Sequence, residues 1–187
     1  MNRDQQSGAN RFLGLLRPIE RDLENYSRRM VFDRSDFEDA LQNAVLRAYR
    51  AFDRYHDDAS FRAWMFKILT NEIFSVNRKR GRIAKHEIPI ETEEMEALFE
   101  APLADGAGSF YSWETLADAL DDDVMRALDA LNGSERAVLL MRAIGGLHYR
   151  EISECMGIPI GSVMGYLFRA RRNMRDAIVR ARRRTAP

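Results

Sequence analysis

Cysteine is almost missing from this chain of 187 residues. Cys155 stands alone, so no internal disulfide and no cysteine-pair metal site can form, which fits a reducing compartment. Long apolar runs are missing too: none approaches the ~20 residues of a membrane span. Met1 to Arg11 is polar and lacks the apolar core of a signal peptide, so it reads as a loose start. The expectation is a protein without membrane insertion that stays in the cytoplasm. Lysine is scarce, with only Lys67, Lys79 and Lys85 among 29 basic residues. The rest are arginines, whose planar fork matches phosphate, although a GC-rich genome gives the same bias. What is present is 45% hydrophobic and 31% charged residues, the composition of a globular chain with room for two small domains.

The net charge of zero conceals a pattern. Arg11 to Lys85 carries 16 basic and 11 acidic residues, and Arg126 to Pro187 carries 12 basic and 5 acidic. Between them, His86 to Met125 holds 12 acidic residues and neither lysine nor arginine. A basic, acidic, basic layout suggests two modules that meet a polyanion, joined by a segment that mimics one or holds the modules apart. A solvated acidic linker between ordinary surfaces is the plainer alternative. Pro89 and Pro102, with Asp105-Gly106-Ala107-Gly108-Ser109, favour an irregular linker there, in which Met95, Leu98 and Phe99 suit a short helix or a docking patch.

Helical periodicity prevails elsewhere, with no alternating strand pattern and no repeat. Pro18 suits the first turn of a helix bearing Ile19, Leu23, Tyr26 and Met30 on one side, after an apolar lead-in of Phe12, Leu13, Leu15 and Leu16. Ser35 and Glu38 form a capping box for a second helix, in which Phe37, Leu41, Ala44, Val45, Ala48 and Phe52 recur at helical spacing. Ser60 caps a third, whose face is Phe61, Trp64, Met65, Ile68 and Leu69. In the C-terminal part, a helix from about Trp113 carries Leu116, Leu120, Val124, Leu128 and Leu131 and stops at Asn132-Gly133. Ser134 caps the next helix, and a short helix from Tyr149 to Met156 follows. Gly157-Ile158-Pro159 then leads into a long final helix. Short helix, tight turn and long helix make a helix-turn-helix. The fold expected is all-α, with two small helical domains joined by an acidic linker.

On the final helix, Ile160, Val163, Leu167, Ala170, Met174 and Ile178 fall in one stripe and should be buried. The opposite face then carries Gly161, Ser162, Gly165, Phe168, Arg169 and Arg172, flanked by Met164 and Arg175. Small residues for close approach, arginines for guanine edges or phosphates, and an apolar group for thymine methyls are what a recognition helix uses. Phe168 has three readings: a DNA contact, a partner contact, or a ring packed under another helix. Tyr166 lies near the edge of the buried stripe. The terminal Arg180, Arg182, Arg183 and Arg184 read as a frayed basic tail.

Asp36-Phe37-Glu38-Asp39-Ala40-Leu41-Gln42, Leu46-Arg47-Ala48-Tyr49-Arg50 and the segment from Phe61 to Asn71, FRAWMFKILTN, resemble the first conserved domain of bacterial extracytoplasmic-function (group 4) sigma factors of the sigma-70 family. Tyr149-Arg150-Glu151-Ile152, Gly157 to Val163 and Leu167 to Arg172 resemble that family's promoter-reading helix-turn-helix. The resemblance implies sigma domain 2 over 11–85, an interdomain linker over 86–112 and sigma domain 4 over 113–184. It also implies core RNA polymerase and promoter DNA as partners, an anti-sigma factor as inhibitor, and no cofactor, metal or small-molecule substrate. Asp39, Gln42, Asn43 and Arg47 match the positions that dock on the polymerase clamp; a solvated helix face is the alternative. Tyr55, His56, Asp57, Asp58, Ser60, Asn71, Ser75, Arg78, Lys79 and Arg80 match the surface that opens the minus-ten element and holds a flipped base. Arg150, Ser162, Met164, Gly165, Phe168, Arg169 and Arg172 match the surface that reads the minus-thirty-five duplex. Ser75 stands where the family usually has aspartate, and Gly165-Tyr166 replaces a frequent Ser-Arg pair. Base preference should differ accordingly.

Two other functions compete with this reading. His56-Asp57 is similar to the paired His-Asp of metal-dependent phosphohydrolases, but such a site needs more histidines than His86 and His148 supply. A helix-turn-helix regulator acting without polymerase would also read duplex DNA; the match from Phe61 to Asn71 argues against it.

Overall fold

The computed structural model describes residues 3–56, 60–79 and 122–185, and every regular element among them is helical. The chain divides into two compact units, Met1–Ala84 and Lys85–Pro187.

In the first unit, α1 (Arg3–Leu16) runs through a 3-10 turn, Arg17–Ile19, into α2 (Glu20–Met30). Pro18 therefore marks a joint between two helices rather than the first start, a place where its missing N–H costs little. The polar start, expected to be loose, is helical from Arg3, and Phe12 of the apolar lead-in anchors that helix. Phe12 is 2% exposed and meets Tyr49, Phe52 and Phe61 edge-on at 5.5, 5.2 and 5.9 Å. Burying one such ring is worth ~1.5–3 kcal/mol, enough to help hold a polar helix against the unit. On α2, Leu23, Tyr26 and Met30 are buried as the periodicity predicts. The Tyr26 hydroxyl meets Thr70 Oγ1 at 2.8 Å, so the buried phenol is satisfied.

α3 (Phe37–Ala51) follows a 3-10 turn, Arg34–Asp36. Asp33, not Ser35, caps this stretch: its carboxylate accepts from Ser35 N at 3.0 Å and from the Ser35 hydroxyl at 2.8 Å. Asp36 N donates to the Asp33 carbonyl at 3.0 Å, closing the turn two residues before the position the capping box would use. The inner face of α3 is Ala40, Ala44 and Ala48, each fully buried. Small side chains one above another let α4 (Phe61–Lys79) approach closely. Leu41 and Val45, expected in that stripe, are only half-buried. Ser60 caps α4 as predicted, its Oγ accepting from Ala63 N at 3.3 Å. Phe61, Met65, Phe66, Leu69 and Ile73 are buried, and Trp64 and Ile68 lie half-buried beside them. Asn77, 3% exposed, ties the end of α4 to the end of α2: its amide donates to the Met30 carbonyl at 3.0 Å and its oxygen accepts from Phe32 N at 3.3 Å.

In the second unit, α5 (Asp122–Asp129), α6 (Gly133–Ala143) and α7 (Tyr149–Met156) pack against the final helix, α8 (Ile160–Thr185), or against one another. Asn132 caps α6, its side-chain oxygen accepting from Glu135 N at 2.8 Å. Ser134, the expected cap, is instead buried in the first turn at 1% exposure. Arg136 is buried to 1% exposure, where Nε donates to the Leu128 carbonyl at 2.9 Å and Nη2 to Asp129 at 3.0 Å. It thereby satisfies an end-of-helix carbonyl of α5. α7 has the boundaries read from the sequence. Gly157, at φ +67°, closes it in the left-handed region that favours glycine, and the Ser153 hydroxyl donates to the Ile158 carbonyl at 2.6 Å across the turn. On α8, Val163, Leu167, Ala170, Met174 and Ile178 are buried as expected, whereas Ile160 is 41% exposed. Ile160 opens the helix, a turn ahead of the packed region.

Candidate functional site

Three surfaces collect the residues singled out by the sequence. On α3, Asp39, Gln42, Asn43 and Arg47 are all exposed and, at spacings of three and four, share one face. Arg47 Nη1 lies 3.0 Å from Glu72 Oε2 on α4, the carboxylate being nearly buried and the guanidinium largely exposed. Beside this face runs a groove of about 410 Å³ lined by Leu16, Glu20, Leu23, Leu41, Gln42, Val45 and Leu46. Leu46 is 51% exposed. Helical spacing assigns Leu41 and Val45 to the core stripe, whereas both line this groove beside Leu46. The signal was there: Ala40, Ala44 and Ala48 form their own row, which leaves the larger side chains to face away.

The second surface lies along α4 and the loop before it. Asn71, Arg78 and Lys79 are exposed and Ser75 is half-buried, and Asn71, Ser75 and Arg78 follow one another around a single face. Lys67, exposed one turn earlier, extends that row and was not singled out. His56 and Ser60 are exposed at the loop's edges. Tyr55 departs from the expectation of a loop side chain: it is 9% exposed, stacks on Phe52 at 5.8 Å with 9° between ring planes, and meets Phe61 and Trp64 at 5.4 and 5.2 Å. A ring so enclosed belongs to the aromatic cluster at the start of α4. Asp57, Asp58 and Arg80 lie outside the described residues, as do Met95, Leu98, Phe99, Trp113 and the acidic stretch as far as residue 121; its last residues, Asp122 to Met125, open α5.

The third surface is the outward side of α8 with the start of α7. Arg150 is exposed, 3.7 Å from Glu154 in a solvated pair. Ser162 and Met164 are half-buried, and Phe168 and Arg172 are exposed. The Arg172 guanidinium lies 5.8 Å from the Phe168 ring. At 48% exposure Phe168 is not packed under another helix among the described residues. Two expected readers sit elsewhere. Gly165 is buried with its neighbour Tyr166, which is 7% exposed. Arg169 Nε donates to Glu135 Oε1 at 3.2 Å, and Asn173 donates to the other oxygen of that carboxylate at 3.4 Å. The pair joins α6 to α8 with side chains only 17% and 6% exposed, and the Arg169 guanidinium also lies over the Tyr166 ring at 4.9 Å. Helical spacing placed Arg169 opposite its own helix's core stripe, but a carboxylate from α6 holds it at the unit's interior edge.

Among the described residues no three His, Cys, Asp or Glu side chains gather as a metal site, and no helix is long and apolar enough to cross a membrane.

Comparison with known proteins adds two family matches in chain order. Residues 15–83 match Sigma-70 region 2 and residues 121–174 match Sigma-70, region 4. Together they span about two thirds of the chain. The chain is 29% identical over 158 residues to the ECF RNA polymerase sigma factor SigE of Mycolicibacterium smegmatis, covering 84% of this chain and 58% of that protein. It is 28% identical over 141 residues to the ECF RNA polymerase sigma-E factor of Escherichia coli K12, covering 73% and 70%. Among solved structures, the fold is similar to the sigma factor RpoE in complex with the anti-sigma factor NepR from Bartonella quintana, with TM-score 0.64, 21% identity and coverage of 87% and 93%. It is also similar to CnrH in complex with the cytosolic domain of CnrY, with TM-score 0.62, 23% identity and coverage of 95% and 94%.

Proposed function

The chain belongs to the sigma-70 family, in its extracytoplasmic-function group, and on that premise we propose that it binds core RNA polymerase and directs promoter-specific initiation, as a non-catalytic factor working in the cytoplasm. The observation that carries this reading is the pairing of region 2 with region 4 in one chain, because a duplex reader alone would need only the second. The α3 face of Asp39, Gln42, Asn43 and Arg47 is the proposed polymerase dock, with Leu46 and the neighbouring groove as its apolar part. The row Lys67, Asn71, Ser75 and Arg78, with Lys79, His56 and Ser60, is the proposed minus-ten surface. Its cations suit a single strand's phosphates and its polar groups suit an unstacked base. Arg150, Ser162, Met164, Phe168 and Arg172 form the proposed minus-thirty-five surface. Arg169 supports that surface from behind.

Both solved structures named above were determined with an inhibitory partner or a partner's cytosolic domain, and an anti-sigma factor is proposed here too. The linker over residues 86–112, acidic and without lysine or arginine, is proposed to join the two modules while occupying a basic channel of the polymerase. The test is transcription in vitro with core polymerase on genomic fragments, with start sites mapped. Specific starts that require the protein are expected. A protein that runs as a dimer on gel filtration, ignores core polymerase and binds duplex DNA unaided would instead be the helix-turn-helix regulator.

A further inference from the structure

We infer that α8 reads its duplex through the methyl groups of thymine, using an apolar row of Ile160, Met164 and Phe168 in place of arginine-to-guanine hydrogen bonds. The inference rests on the proposed role of α8 as the duplex-reading helix and goes on to name what it reads.

Positions 160, 164, 168 and 172 are spaced by four and follow one row along the helix surface. Ile160 is 41% exposed and Phe168 48% exposed. Met164 is half-buried between them, and the exposed Arg172 ends the row. The adjoining positions turn inward: Val163, Leu167 and Ala170 are core, and Gly165 and Tyr166 are buried. Arg169, which could have made a forked contact to guanine, is held by Glu135. Through the first three turns of α8 the outermost side chains are thus apolar, in contact with water until a partner covers them.

The surroundings identify that partner. Arg150 on α7 and Arg171, Arg172 and Arg175 on α8 are exposed, and no acidic residue occurs from Cys155 to Arg175. An apolar row that carries no carboxylate of its own and has arginines beside it, Arg150 among them paired with Glu154 at 3.7 Å, suits a polyanion that displays apolar groups between its phosphates. In the major groove the exposed apolar group is the thymine C5 methyl. At a rise of ~1.5 Å per residue, Ile160 to Phe168 spans ~12 Å, the length of three or four base-pair steps at ~3.4 Å each. The row therefore reaches two or three thymines spread over that distance, on either strand. Phe168, with Arg172 against its ring, is placed to cover a methyl while the guanidinium reaches toward a phosphate.

The experiment uses the whole protein with core polymerase on a promoter it fires, with thymine replaced one position at a time by deoxyuridine through the minus-thirty-five region. Deoxyuridine keeps every hydrogen bond and removes only the methyl. The expected result is a ~3- to 5-fold fall in open-complex formation at two or more positions, the factor that corresponds to one buried methyl. Phe168→Ala and Met164→Ala holoenzymes should lose overall activity but become indifferent to uracil at the position each covered. Far-UV circular dichroism and retention of the variants on core polymerase check that they fold. If the wild-type holoenzyme initiates normally and uracil has no effect anywhere in the element, the methyl-reading inference is overturned while the sigma-factor reading stands. Phe168→Ala that leaves every mapped promoter unaffected overturns it as well, and marks the row as a protein contact. Failure of the wild-type protein to initiate with core polymerase at all would overturn the proposed function itself, and this inference with it.

Discussion

Arg169→Ala separates a supporting role for this arginine from a reading one. In the folded protein its guanidinium meets a Glu135 carboxylate that is only 6% exposed, and that carboxylate also accepts a long bond from Asn173. Removing one partner of a buried pair costs ~3–5 kcal/mol when the remaining charge is fully enclosed. Arg169 itself is 17% exposed, so water would reach the abandoned carboxylate and lower the penalty, while the lost contact with the Tyr166 ring adds ~0.5–1 kcal/mol. The expected loss is ~2–4 kcal/mol, about 1 kcal/mol below the fully enclosed range. Hydrogen exchange of the amides in α6 and α8 reads this directly, as ~30- to 1,000-fold faster exchange in the most protected group. Glu135→Ala added to Arg169→Ala should restore part of the loss, because the stranded charge goes with it. Promoter choice should be unchanged, with lower yield following from the looser unit. The reasoning is refuted if Arg169→Ala costs less than ~0.5 kcal/mol, within the range of ordinary surface changes, and yet changes which promoters are used. Arg169 would then leave Glu135 for the DNA.

Two further substitutions test the packing that holds the surfaces in place. Arg136→Met should destabilise the second unit by ~2–3 kcal/mol, since the buried Leu128 carbonyl loses its charge-assisted donors and keeps only the Leu131 N–H at 3.1 Å, whereas Asp129→Ala, at a side chain 68% exposed, should cost less than ~1 kcal/mol. Burial draws the Arg136 guanidinium below the ordinary arginine value and Asp129 partly offsets this; an arginine still keeps its proton in proteins, so the difference between the two variants should persist across neutral pH in urea titrations. In the first unit, Asn77→Ala should cost ~2–3 kcal/mol by stranding the Met30 carbonyl and the Phe32 amide. Asn77→Asp should not rescue it, because a carboxylate can accept from Phe32 N but cannot donate to Met30 O; equal stability of Asn77→Asp and wild type in denaturant would count against the assigned bonds.

Local periodicity and turn chemistry made much of this legible in the sequence. α7 begins and ends where the tyrosine, the glycine and the proline place it, and the buried side of α8 from Val163 to Ile178 follows from spacing alone. Tertiary partners account for what was missed. α1 carries few apolar residues of its own before Phe12, and the rings that bury Phe12 come from Tyr49, Phe52 and Phe61. Serine and Asx candidates compete at both misread caps, and the choice at α6 is settled by the burial of Ser134, which no local rule contains. On the candidate surfaces, a wheel shows which side of a helix leaves its own stripe, but not whether another helix has placed a carboxylate there. Arg169 and Arg172 are three residues apart and read alike in sequence; Glu135, 34 residues before Arg169, makes one a brace and leaves the other exposed. The proposed duplex-reading face is consequently narrower and more apolar than an arginine-rich helix suggests. Base preference on it should then follow hydrophobic contact more than hydrogen-bond matching, with the remaining exposed arginines fixing register on the phosphates.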